Sequence, residues 1–164
     1  MNLALKKPVA IAIAVVCLIA AGFIATRSLS GPQVRTGAQA TWYYVLESSE
    51  LVAAPHGNAP ITLPDGRQAV HAKVFGCGGC EADARAIGYL ESFTDKAKSV
   101  IDAGPPEGDR TAYDDAMTNG RRIAAVPQAG QGIQWLSAQD PEAARIMSEA
   151  SQRCQGQKAQ ACYP

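Results

Sequence analysis

The chain carries no excess charge of either sign: 15 of its 164 residues are Lys or Arg and 15 are Asp or Glu. It has no Lys/Arg run and no basic stretch interleaved with aromatics, so the electrostatic footprint of a nucleic-acid binder is missing. Histidine is scarce. His56 and His71 are the only two, and neither has a Ser–acid arrangement nearby that stands out from background. No G-x-S-x-G occurs, and the phosphate-cradling glycine patterns are absent, which withdraws support from hydrolase and nucleotide chemistry.

What the chain does have is an uneven distribution of apolar residues. They make up 47% of the sequence, and many fall near the N-terminus. Pro8 to Ala25 is an uncharged run of 18 residues behind the basic Lys6-Lys7. That length sits at the lower edge for a membrane-spanning helix and above the usual signal-peptide core. The flanking lysines favour an N-terminus in the cytoplasm; Arg27 and Arg35 weaken the asymmetry without reversing it. The expectation is an uncleaved anchor over residues 1–27, attached to the membrane through residues 8–25. The rival is a cleaved signal, with Ala20-Ala21-Gly22 as a site inside the apolar run. Val15-Val16 before Cys17 does not fit a lipoprotein signal, and Cys17 would lie in lipid with no chemistry to do.

Residues 28–40 read as a polar linker containing Gly31-Pro32 and Gly37, and residues 41–164 as the folded domain. Beyond Arg27 there are 12 basic and 15 acidic residues, a net of −3, with no polybasic membrane patch. The domain holds Cys77, Cys80, Cys154 and Cys162. An even number of cysteines outside the cytoplasm reads first as disulfides, with three possible pairings among four.

One stretch is chemically loaded: Val74-Phe75-Gly76-Cys77-Gly78-Gly79-Cys80-Glu81. Before it, Val70, Ala72 and Val74 alternate with His71, Lys73 and Phe75, the period of a half-buried strand. After it, Ala84, Ile87, Leu90 and Phe93 recur at spacings of three, which predicts a helix from Glu81 to about Thr94. Cys77 and Cys80 are thus expected at a strand–turn–helix junction, where unpaired helical N–H groups favour a thiolate. On that reading Cys77 is the nucleophile and Cys80 the resolving thiol of a thiol–disulfide oxidoreductase. The bland reading is a structural disulfide or half of a metal site, since a lone C-x-x-C is a weak motif. A zinc site would draw on Cys77, Cys80, Cys154 and Cys162, although the C-x7-C spacing of the last two is wide. His56 and His71 are alternative ligands but read more simply as a loop residue and a surface or sheet-packing residue. Glu81 after Cys80 excludes covalent c-type haem.

The remaining elements follow from local signals. Thr41 to Leu46 is rich in aromatic and β-branched residues and predicts a strand, with Trp42 and Tyr44 as core or sheet surface rather than ligand stackers. Glu47 to Glu50 is a turn and Leu51 to Ala54 the return strand. Leu63-Pro64-Asp65-Gly66 suits a type I turn. Thr94-Asp95 opens a short helix to Asp102, and Asp109 to Asn119 a weaker one whose Asp114-Asp115 pair is a solvated face. Arg121–Val126 and Gly132–Ser137 predict a hairpin. Asp140-Pro141-Glu142 starts a helix with Ala143, Met147, Ala150 and Cys154 on one stripe facing the core. The tail from Gln155 reads as irregular, with Cys162 unordered unless it has a partner.

The predicted class is α+β: an N-terminal transmembrane helix, then a small domain of antiparallel hairpins and helices. The segment order is similar in part to the thioredoxin fold, with a strand, a C-x-x-C at a helix start, a later strand pair and a helix. That likeness implies an α/β alternative with Val126-Pro127 standing for the family's cis-proline. The Pro/Gly-rich residues 104–110, the turn after Pro127 and the Gly78-Gly79 pair depart from it. Trp42-Tyr43-Tyr44, the 74–80 motif, Ile87-Gly88-Tyr89-Leu90-Glu91, Trp135 and the Cys154…Cys162-Tyr163-Pro164 end together resemble a group of small, N-terminally anchored bacterial envelope proteins. This resemblance covers most of residues 41–164. It implies the architecture of an N-terminally anchored envelope protein and supplies no activity. The apolar run behind Lys6-Lys7 is what places the chain as a single-pass protein of the bacterial inner membrane with its domain outside the cytoplasm, and a protein partner in the envelope is left unidentified. Two readings result: a non-enzymatic module with structural cysteines, or a tethered oxidoreductase using Cys77 and Cys80.

Overall fold

The computed structural model describes residues 40–128, 130–154 and 159–164. The predicted membrane segment, residues 8–25, lies outside the described residues, and among these no helix is long and apolar enough to cross a membrane. The elements are β1 (Ala40–Val45), β2 (Leu51–Pro55), β3 (Ile61–Thr62), β4 (Gln68–Cys77), β5 (Arg85–Phe93), α1 (Asp95–Asp102), α2 (Thr111–Asn119), β6 (Arg121–Ala124), β7 (Leu136–Ser137), α3 (Pro141–Gln152) and β8 (Ala159–Cys162). The strands run in the order β2-β1-β4-β5-β6-β7, with β3 and β8 each pairing β4. Every pair is antiparallel. The domain is therefore α+β with an antiparallel sheet, not the α/β alternative.

β4 is the strand on which the rest assembles. It is ten residues long, contains no proline, and pairs with β1, β3, β5 and β8. Its burial corrects the half-buried expectation: Ala69, Val70, His71 and Ala72 are all buried, because both faces of the sheet are covered here. On one face Tyr44, Val70, Ala72, Val74, Leu90, Ala124 and Cys162 form a core cluster. Tyr43, Val45 and Ala69, which alternate with them, pack with Ala59 and Leu63. The turn before β4 forms as read, with the Gly66 N–H donating to the Leu63 carbonyl at 2.9 Å and Gly66 at φ +88°.

The helix predicted from Glu81 is not there. Residues 85–93 are β5, the hairpin partner of β4, with His71 opposite Glu91 and Lys73 opposite Tyr89. The register shifts between Lys73 and Val74, so that Val74 faces Ile87 and Gly88 is the extra residue of a bulge. A spacing of three apolar residues fits a helix, but Ile87, Tyr89 and Phe93 also favour strands, and the adjacent β4 edge decides between them.

The short helices form where their caps predict. The Thr94 side chain accepts from the Ala97 N–H at 3.2 Å and Asp140 from the Glu142 N–H at 2.8 Å, with Pro141 opening α3. α1 buries Ala97 and Ile101 against Phe93 and Ala116 of α2. α3 buries Ala143 and Ala150 completely. The second hairpin is present but short, β6 with β7, and a long loop joins its strands. The tail departs from expectation: β8 pairs with the second half of β4, Val74 opposite Cys162 and Cys77 opposite Ala159.

Candidate functional site

The loaded motif is a hairpin connection. Cys77 ends β4, its N–H donating to the Ala84 carbonyl at 3.3 Å, and β5 begins at Arg85. Gly78, at φ +85°, lets the chain reverse. At Gly76, a side chain would strike the Gly79 carbonyl and come within 3.0 Å of the Cys162 sulfur, so the turn folds back over a position that has room only for hydrogen. Because no helix starts here, no helix N-terminus acts on Cys77. That removes the physical reason given above for a stabilised thiolate.

Nor are the two cysteines of the motif bonded to each other. Cys77 is joined to Cys154, 77 residues away, with Cα atoms 5.2 Å apart. Cys80 is joined to Cys162, 82 residues away, with Cα atoms 5.5 Å apart. Each motif cysteine thus holds one C-terminal element against the hairpin, Cys77 the end of α3 and Cys80 the strand β8. Cys77 is exposed and Cys80 half-buried. Cys154 and Cys162 are 6% and 4% exposed. The stripe on α3 predicted that Cys154 faces inward, and it does. Cys162 has the partner without which its order was not expected. A disulfide offers no thiolate, so the four-cysteine zinc set has no ligands in this oxidised state. Among the described residues no group of three His, Cys, Asp or Glu side chains is placed to hold a metal.

The histidines lie together at the other end of the sheet. His71 Nε2 is 2.7 Å from the Gly57 carbonyl and 3.2 Å from the Tyr43 hydroxyl. A carbonyl only accepts, which assigns the proton to Nε2. The Gly57 N–H donates to the same Tyr43 oxygen at 2.8 Å, and the His56 ring stacks on His71 with centroids 5.3 Å apart. Burial, with the nearby Lys73 charge adding to it, lowers the His71 pKa to about 4. His71 is a neutral donor that straps the loop after β2 onto the sheet. His56 is a loop residue, as read, and the Tyr43 hydroxyl beside His71 already accepts from the Gly57 N–H.

Two features were missed in the sequence. Glu91 is buried between Lys73 Nζ at 3.4 Å and Arg121 Nε at 3.0 Å. Reading β5 as a helix hid this cross-strand cluster. The second feature is a cleft of about 590 Å³ between the sheet and the β6–β7 loop, lined by Tyr44, Ile87, Val126, Ile133 and Trp135 with Gln128 and Gln131. Val126, Ile133 and Trp135 pack on the same core cluster as Tyr44 and Ile87.

No family model matches the chain, and no curated protein and no solved structure matches it.

Proposed function

We propose that the protein is a membrane-anchored module outside the cytoplasm of a bacterial cell, held in the inner membrane by residues 8–25. In this reading its four domain cysteines are structural and its role is binding or assembly with a protein partner in the envelope, with no cofactor. The observation that carries the proposal is the pairing of Cys77 with Cys154 and Cys80 with Cys162. Cross-links of this kind persist in oxidising compartments and are rare where thiols are kept reduced. Either bond alone closes a loop of about 80 residues, which the chain-entropy account values at roughly 4 kcal/mol before strain is subtracted; with one in place the other closes a much shorter loop and adds less. The apolar run behind Lys6-Lys7 supports the anchor, and the resemblance to small envelope proteins supports the compartment.

Reporter fusions after residue 40 test the topology: a reporter that works only outside the cytoplasm should be active there. A cytoplasm-only reporter that is active at the same junction would overturn it. The non-enzymatic part is tested by insulin reduction with the purified chain, where catalytic turnover above the reductant background would sink it.

A further inference from the structure

We propose that the four cysteines form an exchange couple, in which reducing the exposed Cys77–Cys154 bond shifts the second bond from Cys80–Cys162 to Cys77–Cys80. This goes beyond the clamp reading, which concerns where the bonds lie in the oxidised chain and not where they go on reduction.

The two bonds differ in access. Cys77 is exposed, whereas Cys80 is half-buried and Cys162 is 4% exposed. A dithiol therefore meets Cys77 first. Its thiolate attacks the Cys77 sulfur, the Cys77–Cys154 bond breaks, and Cys154 leaves as a thiolate and takes a proton. The second thiol of the reductant closes its own disulfide and releases Cys77 as a thiolate.

That thiolate is three residues from Cys80. The connection is Gly78-Gly79, already folded back so that the Gly79 carbonyl lies against Gly76, with the Cys162 sulfur 3.9 Å from that carbonyl. A short flexible linker gives an effective concentration on the order of millimolar, far above a micromolar reductant. Cys77 attacks Cys80, the Cys80–Cys162 bond breaks, and Cys162 leaves and is protonated. The net change balances: one dithiol becomes a disulfide, two protein disulfides become one, and Cys154 and Cys162 become thiols.

The direction follows from burial. A free thiol packs in apolar surroundings as a small apolar side chain. Cys154 and Cys162, 6% and 4% exposed, can fill their sites in that way as free thiols, while the bond passes to the exposed Cys77 and the half-buried Cys80. The outcome is a single reduction event that releases both C-terminal tethers, the end of α3 and the strand β8.

The test is a titration of the oxidised full-length chain with a stoichiometric amount of dithiothreitol, quenched in acid, alkylated and mapped by mass spectrometry. The expected half-reduced species carries a Cys77–Cys80 bond with Cys154 and Cys162 both alkylated. A half-reduced species that keeps Cys80–Cys162 with Cys77 and Cys154 alkylated would overturn the proposal, as would simultaneous loss of both bonds. Cys154→Ser adds a reading without reductant, because Cys77 is then free from the start: the bond should move to Cys77–Cys80 and Cys162 become alkylatable. Retention of Cys80–Cys162 in that variant contradicts the exchange. Should the variant fail to fold, the wild-type titration still decides. The untreated map separates the two readings: native pairs there, with no shift in the titration, sink only the exchange, and absence of the native pairs sinks both.

Discussion

Gly88 lies directly against Ala150: a Cβ built on Gly88 would stand 2.8 Å from the Ala150 Cβ and 2.6 Å from the Phe75 ring. This is where α3 rests on the sheet. Ala150 is 1% exposed, and the extra residue in the β4–β5 register falls at Gly88 itself. The bulge and the glycine together let the helix approach the strand, which brings Cys154 at its end within bonding distance of Cys77. Gly88→Ala should destabilise the domain by about 1–3 kcal/mol, the usual cost of overpacking. The cost should shrink when Phe75→Leu is added, because the ring is one of the two neighbours that must give way. Chemical denaturation of both variants checks this, and an unchanged midpoint for the single variant would contradict the packing account.

Glu91 should depend more on Arg121 than on Lys73. Arg121 places Nε 3.0 Å from one carboxylate oxygen and donates from its terminal nitrogen to the other at 3.2 Å. The Nε contact is not aligned as a hydrogen bond, so it acts through charge. Lys73 stands 3.4 Å away with its side chain 41% exposed. Arg121→Ala leaves a buried carboxylate poorly matched and should cost about 1–3 kcal/mol. Lys73→Ala should cost less than about 1 kcal/mol, as for exposed ion pairs. Urea unfolding of the two variants gives the order, and a larger loss for Lys73→Ala would be the contrary result.

Acid should weaken the fold through His71. In the unfolded chain its pKa is near 6.5, and in the folded protein burial holds it at about 4. Above pH 6.5 the ring is neutral in both states and contributes no pH dependence. As the pH falls from 6.5 towards 4 the unfolded chain takes up the proton first, so stability is lost across that window and the loss is complete below pH 4. The shift corresponds to roughly 3 kcal/mol. His71→Gln keeps a side-chain N–H donor for the Gly57 carbonyl and cannot titrate. Its stability should therefore fall less than that of the wild type between about pH 7 and pH 4. Parallel losses in the two proteins would show that His71 is not the group responsible.

Elements whose signals are local were legible in the sequence. Thr94 and Asp140 capped the helices they were expected to cap, Leu63–Gly66 made its turn, and the aromatic run at 41–45 made β1. Elements decided by a distant partner were not. Ala84, Ile87, Leu90 and Phe93 satisfied a helical spacing, and only the neighbouring β4 edge makes 85–93 a strand. Gly88 between Ile87 and Tyr89 was the available hint, since glycine inside an apolar run marks a bulge or a close approach. Ala159-Gln160-Ala161-Cys162 has no strand propensity of its own; it is ordered by the free half of β4 and the bond to Cys80. The cysteines were legible as a cross-linked set, but choosing among three pairings needs the fold, because each bond spans most of the domain.

The central claim, that the C-x-x-C cysteines are clamps on two C-terminal elements, is tested most directly by disulfide mapping of the full-length chain purified without reductant. Free thiols are first blocked, and the digest is then read by mass spectrometry under non-reducing conditions. The account predicts linked peptides joining Cys77 to Cys154 and Cys80 to Cys162, with none of the four alkylated. A Cys77–Cys80 bond with Cys154 joined to Cys162, or alkylation of all four, would contradict it.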